Sequence, residues 1–173
     1  MTVELAALVQ HCDDLLGAAR FRDYCPNGLQ VEGRRTLTRV AAAVTASQAV
    51  LDEAVAWGAD ALLVHHGYFW RGEAEPVVGM KRRRLATLLA ADMSLIAYHL
   101  PLDAHPELGN NAQLAARLAF ATTGTLDPGD PTAVGNVGDL AAAETLDALR
   151  ARIEALTGLT PLLIGDAQRA VQR

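Results

Sequence analysis

The sequence is poor in features that mark several classes of protein. Aromatic residues make up 5% of its 173 residues, and its two cysteines, Cys12 and Cys25, are too far apart for a CxxC motif. They form neither a disulfide framework nor a zinc-ribbon spacing, which is typical of a protein from a reducing cytosol. Asp92 and Ser94 interrupt the longest apolar stretch, and the N-terminal segment lacks the basic region of a secretion signal. These absences predict a soluble cytoplasmic protein without a membrane span.

The chain also lacks an excess of positive charge. Its formal net charge is −5 and its isoelectric point is near 5.5, which argues against bulk capture of nucleic acid by the whole surface. The basic run KRRR at residues 81–84 could attract phosphates, but a solvated charged face is the more common explanation for such a run. A small anionic ligand in a local pocket is still compatible with this composition.

The order of hydrophobic patterns predicts an α/β fold. Short apolar runs at residues 40–44, 61–64 and 95–98 predict strands, and the segments between them have helical spacing. Thr45 and Gln48 fit a helix-capping box, and Gly58 stands where that helix should end. Such alternation favours a parallel or mostly parallel sheet with helices on both faces and right-handed crossovers.

This fold predicts which residues form the core. The expected buried residues of the sheet are Val40, Ala42, Val44, Leu62, Val64, Leu95 and Ala97. Those expected to be buried beneath the covering helices are Leu51, Val55 and Leu88.

A change of composition divides the chain. Prolines and glycines concentrate in residues 127–138, followed by a helical pattern that ends at Gly158 and a candidate last strand at residues 160–166. We therefore expect an α/β domain over residues 1–125, which carries a first set of metal ligands. Residues 126–173 are expected to form a linker and the start of a further α/β unit.

Histidines occur where polar groups of a parallel sheet converge. His65 and His66 follow the second predicted strand in ADALLVHHGYFW, and His99 and Asp103 follow the third in YHLPLDAHPELGNN. Thr45 follows the first strand. Because parallel strands end at one edge of the sheet, and ligands bind at that edge, we expect these residues to lie close together.

Imidazoles and a carboxylate in this position are typical ligands of Zn²⁺, Fe²⁺ or Mn²⁺. Neighbouring side chains on a strand point to opposite sides, so two ions with one imidazole each fit better than one ion held by both histidines. Such a pair of ions can activate water and stabilise a developing oxyanion. The alternative is that the histidines are ordinary structural residues; this alternative is favoured for His11, and the role of His105 is left open.

The segments PNGLQVEG, VTASQAVLDEAVAWGADALLVHHGYFW and HLPLDAHPELGNNAQLA together resemble the Nif-three-like family of dinuclear-metal proteins. Its members are named GTP cyclohydrolase I type 2 homologues. The resemblance implies an α/β fold, a toroidal homohexamer and two divalent metal ions. It also implies that His65, His66 and Asp103 are metal ligands and that His99, beside the metals, is a catalytic residue for proton transfer.

The resemblance implies one departure as well. The family completes its site with a histidine and, four residues later, a glutamate near the C-terminus, whereas no histidine follows His105 here. The chain is therefore expected to be a fragment that binds metal weakly by itself. The function implied is that of a metal-dependent hydrolase acting on a nucleotide-like substrate. The alternative is a non-catalytic protein that binds or delivers metal, or a ring-shaped interaction scaffold.

Overall fold

The computed structural model describes residues 2–173, which form two compact units. The first unit ends at Leu102, and the second is Asp103–Arg173. The division expected after residue 125 lies within the second unit, at the loop rich in proline and glycine, and it stays a prediction about domains.

The secondary structure alternates strands and helices along most of the chain. The strands are β1 Val3–Glu4, β2 Gly28–Val31, β3 Thr36–Leu37, β4 Val40–Thr45, β5 Ala61–His66, β6 Ser94–Ala97, β7 Phe120–Thr125, β8 Asn136–Leu140, β9 Glu144–Thr145 and β10 Ala170–Val171. The helices are α1 Leu5–Leu16, α2 Gln48–Trp57, α3 Gly79–Ala90, α4 Leu100–Ala104, α5 Asn110–Arg117 and α6 Leu146–Thr157. A single turn of 3-10 helix lies at Ala18–Arg20. None of the helices between residues 2 and 173 has the length and apolar character needed to cross a membrane.

A four-stranded sheet organises the first unit, with the strand order β2-β6-β5-β4. Strands β4, β5 and β6 are parallel, and β2 pairs antiparallel with β6 at one edge. Helices α2 and α3 make the two crossovers between the parallel strands. The predicted α/β fold with a mostly parallel sheet is therefore confirmed.

Helices cover both faces of this sheet. On one face Leu62 packs in a cluster with Leu51 of α2 and Leu88 of α3, and on the other Ile96 packs with Leu5 of α1. Alternate residues of β5 and β6 thus serve two separate hydrophobic clusters. The predicted core residues that are buried are Leu51, Leu62, Val64, Leu88, Leu95 and Ala97.

The core prediction was wrong for strand β4. Val40 and Val44 are 39% and 67% exposed, and Ala42 between them is also exposed. The reason is that β4 is an edge strand whose opposite face, carrying Ala41 and Ala43, packs against the α2 and α3 side of the core.

The prediction was also wrong for helix α2 at Val55, which is 37% exposed. Its neighbours Leu51 and Ala54 are the residues of α2 that are buried. The buried stripe of this helix is therefore narrower than its apolar composition suggests.

The second unit contains an antiparallel hairpin, β7 paired with β8, and the loop at residues 126–135 connects its strands. Helix α6 ends at Thr157, and Gly158, the residue predicted to end it, is the C-cap and has a left-handed conformation. The strand predicted at residues 160–166 is absent from the described chain, and Leu162 is 86% exposed. In this region β9 pairs instead with β10, which begins at Ala170.

Candidate metal centre

Three strand ends bring polar side chains to the carboxyl edge of the parallel sheet. His65 and His66 are the last two residues of β5, and Thr45, the last residue of β4, is paired with His66. His99 follows β6 after one intervening residue. The Oγ1 atom of Thr45 lies 3.0 Å from Nδ1 of His66, so the first two strand ends are joined by a hydrogen bond.

The three histidines form a cluster, hereafter the histidine cluster. The ring centroids are 4.4 Å apart for His65 and His66, 5.0 Å for His65 and His99, and 5.7 Å for His66 and His99. One ring nitrogen from each histidine lies within 4.8 Å of the others. The expectation that His65 and His66 point apart is therefore not met. Side chains alternate strictly between the two faces only within a regular strand, and these two residues form the end of β5.

Hydrogen bonding determines which nitrogen of His65 carries its lone pair. Nδ1 of His65 lies 3.0 Å from the carbonyl oxygen of Tyr98. Because a carbonyl can only accept, Nδ1 must carry the proton, and the lone pair of the neutral ring is on Nε2. A backbone carbonyl that orients the imidazole in this way is a common feature of histidines that bind metals.

Asp23 orients His99, and sequence reasoning missed it. Its side chain is 2% exposed, and Oδ1 accepts a hydrogen bond from Nδ1 of His99 at 2.8 Å. The carboxylate also accepts from Nδ2 of Asn27 at 3.0 Å and from the backbone N–H groups of Tyr24 at 2.6 Å and Leu100 at 2.8 Å. Asp23 is therefore saturated with donors, and Nε2 of His99 is the nitrogen turned away from it.

These donors determine the charge of Asp23. Burial alone would raise the pKa of this carboxyl, but the hydrogen bonds from His99, Asn27 and the two backbone N–H groups together hold the pKa below its usual value. Asp23 is thus ionised at neutral pH.

The Asn27 side chain completes this arrangement. Its Oδ1 accepts the backbone N–H of His99 at 2.8 Å while its Nδ2 donates to Asp23. The sequence signal that could have pointed here is the turn Pro26, Asn27 and Gly28, which lies at the start of the first segment that carries the family resemblance. Spacing alone gives no reason to connect it with a histidine 72 residues away.

Cys25 adds a second group of potential ligands. One ligand atom each from Asp23, Cys25 and His99 lie within 4.8 Å of one another. Burial, and then the nearby charge of Asp23, raise the pKa of the Cys25 thiol to about 11. Cys25 is therefore a neutral thiol at physiological pH, and the oxygens of Asp23 are already used by four donors.

Asp103 and His105 belong to the second unit and are described by their own contacts. Oδ1 of Asp103 accepts a hydrogen bond from Nδ2 of Asn110 at 2.8 Å. Nδ1 of His105 accepts from the backbone N–H groups of Glu107 and Leu108, at 3.2 and 3.0 Å, which gives it a structural role in the turn before α5. The role of Asp103 as a metal ligand stays a prediction.

Comparison with known proteins agrees with this fold. The sequence matches the family described as Duf34/NIF3 (NGG1p interacting factor 3) over residues 3–173. A Pseudomonas aeruginosa protein named GTP cyclohydrolase 1 type 2 homolog is 53% identical over 173 residues, which are 100% of this chain and 68% of that protein. An Escherichia coli K12 protein of the same name is 52% identical over 167 residues, covering 96% of this chain and 66% of that protein.

Solved structures show the same similarity. The structure of the protein ybgI has a TM-score of 0.92 at 49% identity, over 98% of this chain and 67% of that one. The protein TTHA1606 from Thermus thermophilus has a TM-score of 0.82 at 39% identity, over 92% of this chain and 64% of that one.

The fold and the histidine cluster define an α/β protein with a candidate metal centre at the carboxyl edge of its sheet. The chain belongs to the Duf34/NIF3 family. It spans about two thirds of the length of the curated relatives that it matches.

Proposed function

We propose that this chain provides the histidine part of a divalent-metal centre in a hydrolase that acts on a nucleotide-like substrate. The observation that carries the proposal is the approach of one nitrogen from each of His65, His66 and His99 to within 4.8 Å. Two of these rings have Nδ1 held by an acceptor, as histidines that bind metals commonly do.

The residues present fit a metal. Neutral imidazole suits zinc, iron and manganese, and the hydrogen bond of His65 leaves the lone pair on Nε2. His65 and His66 are the proposed ligands, with Asp103 as the carboxylate ligand and two divalent ions in the complete centre. When bound, such ions supply positive charge that polarises a substrate oxygen and makes water more acidic.

His99 is proposed to move a proton. Its Nδ1 proton is held by Asp23 at 2.8 Å, so Nε2 can take up a proton from a reacting group and return it. The ionised Asp23 stabilises the imidazolium that forms in between. The Trp70 ring lies nearly perpendicular to the His99 ring at a centroid distance of 5.0 Å.

The names of the relatives suggest the substrate class to test. Proteins at 52% and 53% identity are named GTP cyclohydrolase 1 type 2 homolog, which makes GTP the first substrate to try. We further propose, from the family resemblance, that the whole protein is a cytoplasmic homo-oligomer of toroidal, hexameric form.

A turnover assay with defined metals tests the proposal. The protein is incubated with GTP and other nucleotides in the presence of Mn²⁺, Fe²⁺ or Zn²⁺, and products are separated by chromatography. We expect metal-dependent turnover that falls by about 100-fold or more in His99→Gln, since general acid–base catalysis contributes about 10²–10⁴-fold. His11→Ala, an exposed residue of α1, is the matched control and should retain activity.

One outcome would favour the non-catalytic alternative. If the protein binds metal stoichiometrically but no nucleotide is turned over with any of these ions, the chain belongs to a metal-binding protein or scaffold rather than to a hydrolase.

A further inference from the structure

A cavity of about 330 Å³ lies beside the histidine cluster. Its volume falls in the range of small-molecule pockets, about 300–1,000 Å³. The lining residues come from the loop after β5 and the first turn of α3, and they are Phe69, Trp70, Glu73, Glu75, Val77 and Lys81.

Trp70 is shared between this cavity and the histidine cluster. Its ring centroid lies 5.0 Å from that of His99 and 6.1 Å from that of His66, and the same ring lines the cavity. The indole Nε1 donates to the carbonyl of Gly67 at 3.2 Å. A planar ligand in the cavity would therefore contact an aromatic wall that also touches the reactive histidines.

The loop that carries this wall is fixed to the segment that holds Asp23. The backbone N–H of Arg71 donates to the carbonyl of Tyr24 at 2.7 Å, and its guanidinium donates to the carbonyl of Asp23 at 2.8 Å. The cavity wall and the His99–Asp23 pair are thus positioned by the same contacts.

Phe69 is the second aromatic residue of the cavity, and its backbone conformation is energetically unfavourable. Its φ of 64° is in the left-handed region, which a bulky residue rarely adopts. Asparagine or glycine would adopt this conformation more easily, so the aromatic side chain has a reason to be there other than the turn. Unusual backbone of this kind is concentrated at ligand-binding sites.

The charges around the cavity select the kind of ligand. Lys81 is 15% exposed, and its Nζ donates to the carbonyl of Ala74 at 2.9 Å and lies 3.9 Å from Glu73. The lining thus holds two carboxylates, Glu73 and Glu75, and one ammonium, that of Lys81, which also lies over the Phe69 ring at 5.7 Å. This excess of negative charge repels phosphate and favours groups that donate N–H.

We propose that this cavity binds the amino-substituted, planar heteroaromatic ring of the substrate. Trp70 and Phe69 contact the faces of the ring, and the carboxylates of Glu73 and Glu75 accept hydrogen bonds from its amino and ring N–H groups. The assignment of this ring to a substrate rests on the proposed function, whereas binding of the ring requires neither metal nor turnover.

Fluorescence of Trp70 tests the proposal directly. The chain has two tryptophans, so Trp57→Phe leaves Trp70 as the sole indole. In metal-free protein kept in a chelator, guanosine should quench this fluorescence saturably. Inosine, which lacks only the 2-amino group, should bind about tenfold more weakly, and ribose 5-phosphate should not bind.

Two variants make the test specific. Trp70→Leu should weaken guanosine binding by calorimetry about tenfold or more, since stacking on an aromatic residue contributes about 1–3 kcal/mol per base. The double variant Glu73→Gln and Glu75→Gln should lose the preference for guanosine over inosine, while Trp57→Phe keeps it. The double variant provides a readout even if Trp70→Leu fails to fold.

The outcomes separate this inference from the proposed function. Saturable binding of guanosine in preference to inosine, without turnover of any nucleotide, would support the ring site and contradict the proposed hydrolase function. Absence of guanosine binding, equal binding of ribose 5-phosphate, or turnover with a KM unchanged in Trp70→Leu would each overturn the ring site.

Discussion

At the scale of single residues, the pairing of Asp23 with His99 gives the candidate site its orientation. The two residues are separated by 76 positions in the chain, and Asp23 lies in an irregular segment before β2. The histidines could be found from the sequence because they follow predicted strands. Asp23 could not, since nothing in its local pattern determines which distant donor it meets.

Asp23→Asn tests this orientation. An amide has only one acceptor oxygen, so it cannot serve all four donors that now share the carboxylate. We expect the Nδ1–H form of His99 to lose its dominance, as seen in nitrogen-15 NMR spectra of the imidazoles, and turnover to fall by about 10–100-fold.

Asp14→Asn is the control for this substitution. Asp14 is an acidic residue of α1 whose carboxylate accepts from Gln10 at 2.9 Å, and it does not contact the histidine cluster. If Asp23→Asn leaves the His99 spectrum unchanged, as Asp14→Asn should, then Asp23 does not position His99.

At the scale of secondary-structure elements, the N-cap of helix α2 lies two residues later in the chain than the sequence predicted. Thr45 was predicted to cap this helix, but the cap is Ser47, whose Oγ accepts the N–H of Val50 at 3.3 Å. Thr45 is instead the last residue of β4, with its hydroxyl at His66. Both residues are good capping types, and the sequence could not show where the strand ended.

Substitution distinguishes the two roles. Ser47→Ala should lower the free energy of unfolding by about 0.5–2 kcal/mol, the usual contribution of an N-cap, as measured by urea denaturation. Thr45→Ala should leave helix stability nearly unchanged and alter the imidazole signals of His66. Equal destabilisation by both substitutions would show that this assignment of the cap is wrong.

Asp60 links the turn before β4 to the start of β5. Its Oδ2 accepts the backbone N–H groups of Thr38 at 2.6 Å and Arg39 at 2.9 Å, and its Oδ1 accepts from Arg34 at 2.7 Å. The hydrogen bonds from Arg39 and Thr38 and the charge of Arg34 outweigh burial and hold the pKa of Asp60 below its usual value. The ionised form therefore stabilises the folded state.

The pH dependence of stability tests this link. Because the folded pKa is lower than the unfolded value of about 3.9, the contribution is complete above that pH and is lost as the pH falls through the folded pKa. Wild type should thus be more stable than Asp60→Asn at pH 7, by a margin that is constant down to about pH 5 and shrinks in acid.

Asp92→Asn is the matched control, since Asp92 is 67% exposed and lies 3.9 Å from the same arginine. Exposed ion pairs contribute little, so this substitution should change stability by less than about 1 kcal/mol. A margin for Asp60→Asn that persists unchanged to pH 2 would contradict the assignment.

Strand β4 shows why periodicity failed for part of the core. Its sequence VAAAVT is apolar on both faces, so no alternation distinguishes the side that meets α2 from the other. Strands β5 and β6 are buried on both faces, so their core residues could be predicted without knowing which face each side chain is on. The edge position of β4 depends on the strand order, which the sequence did not reveal.

At the scale of the whole molecule, the order of strands and helices was enough to predict the α/β class. It did not predict that β2 joins the sheet antiparallel, or that β7 and β8 form a hairpin. Half of strand β7, FATTGT, consists of threonine, so the strand lacks an apolar pattern. The antiparallel pairing of β2 depends on contacts between segments more than 60 residues apart in the sequence.

Metal binding should stabilise the whole fold if the histidine cluster is a metal centre. A ligand that binds only the folded state stabilises it by about 2.7 kcal/mol at 100 times its Kd. We expect the Tm to rise with Zn²⁺, to return on addition of a chelator, and to respond little to Zn²⁺ in His65→Ala or His66→Ala. A full Zn²⁺ response in both variants would place the metal elsewhere.

Anomalous diffraction from crystals of the protein loaded with Zn²⁺ tests directly whether the histidine cluster binds metal. We expect an anomalous peak at the carboxyl edge of the sheet, about 2.0–2.1 Å from imidazole nitrogens of His65 and His66. A peak only at His11 or His105, or none at the histidine cluster in fully loaded crystals, would contradict it.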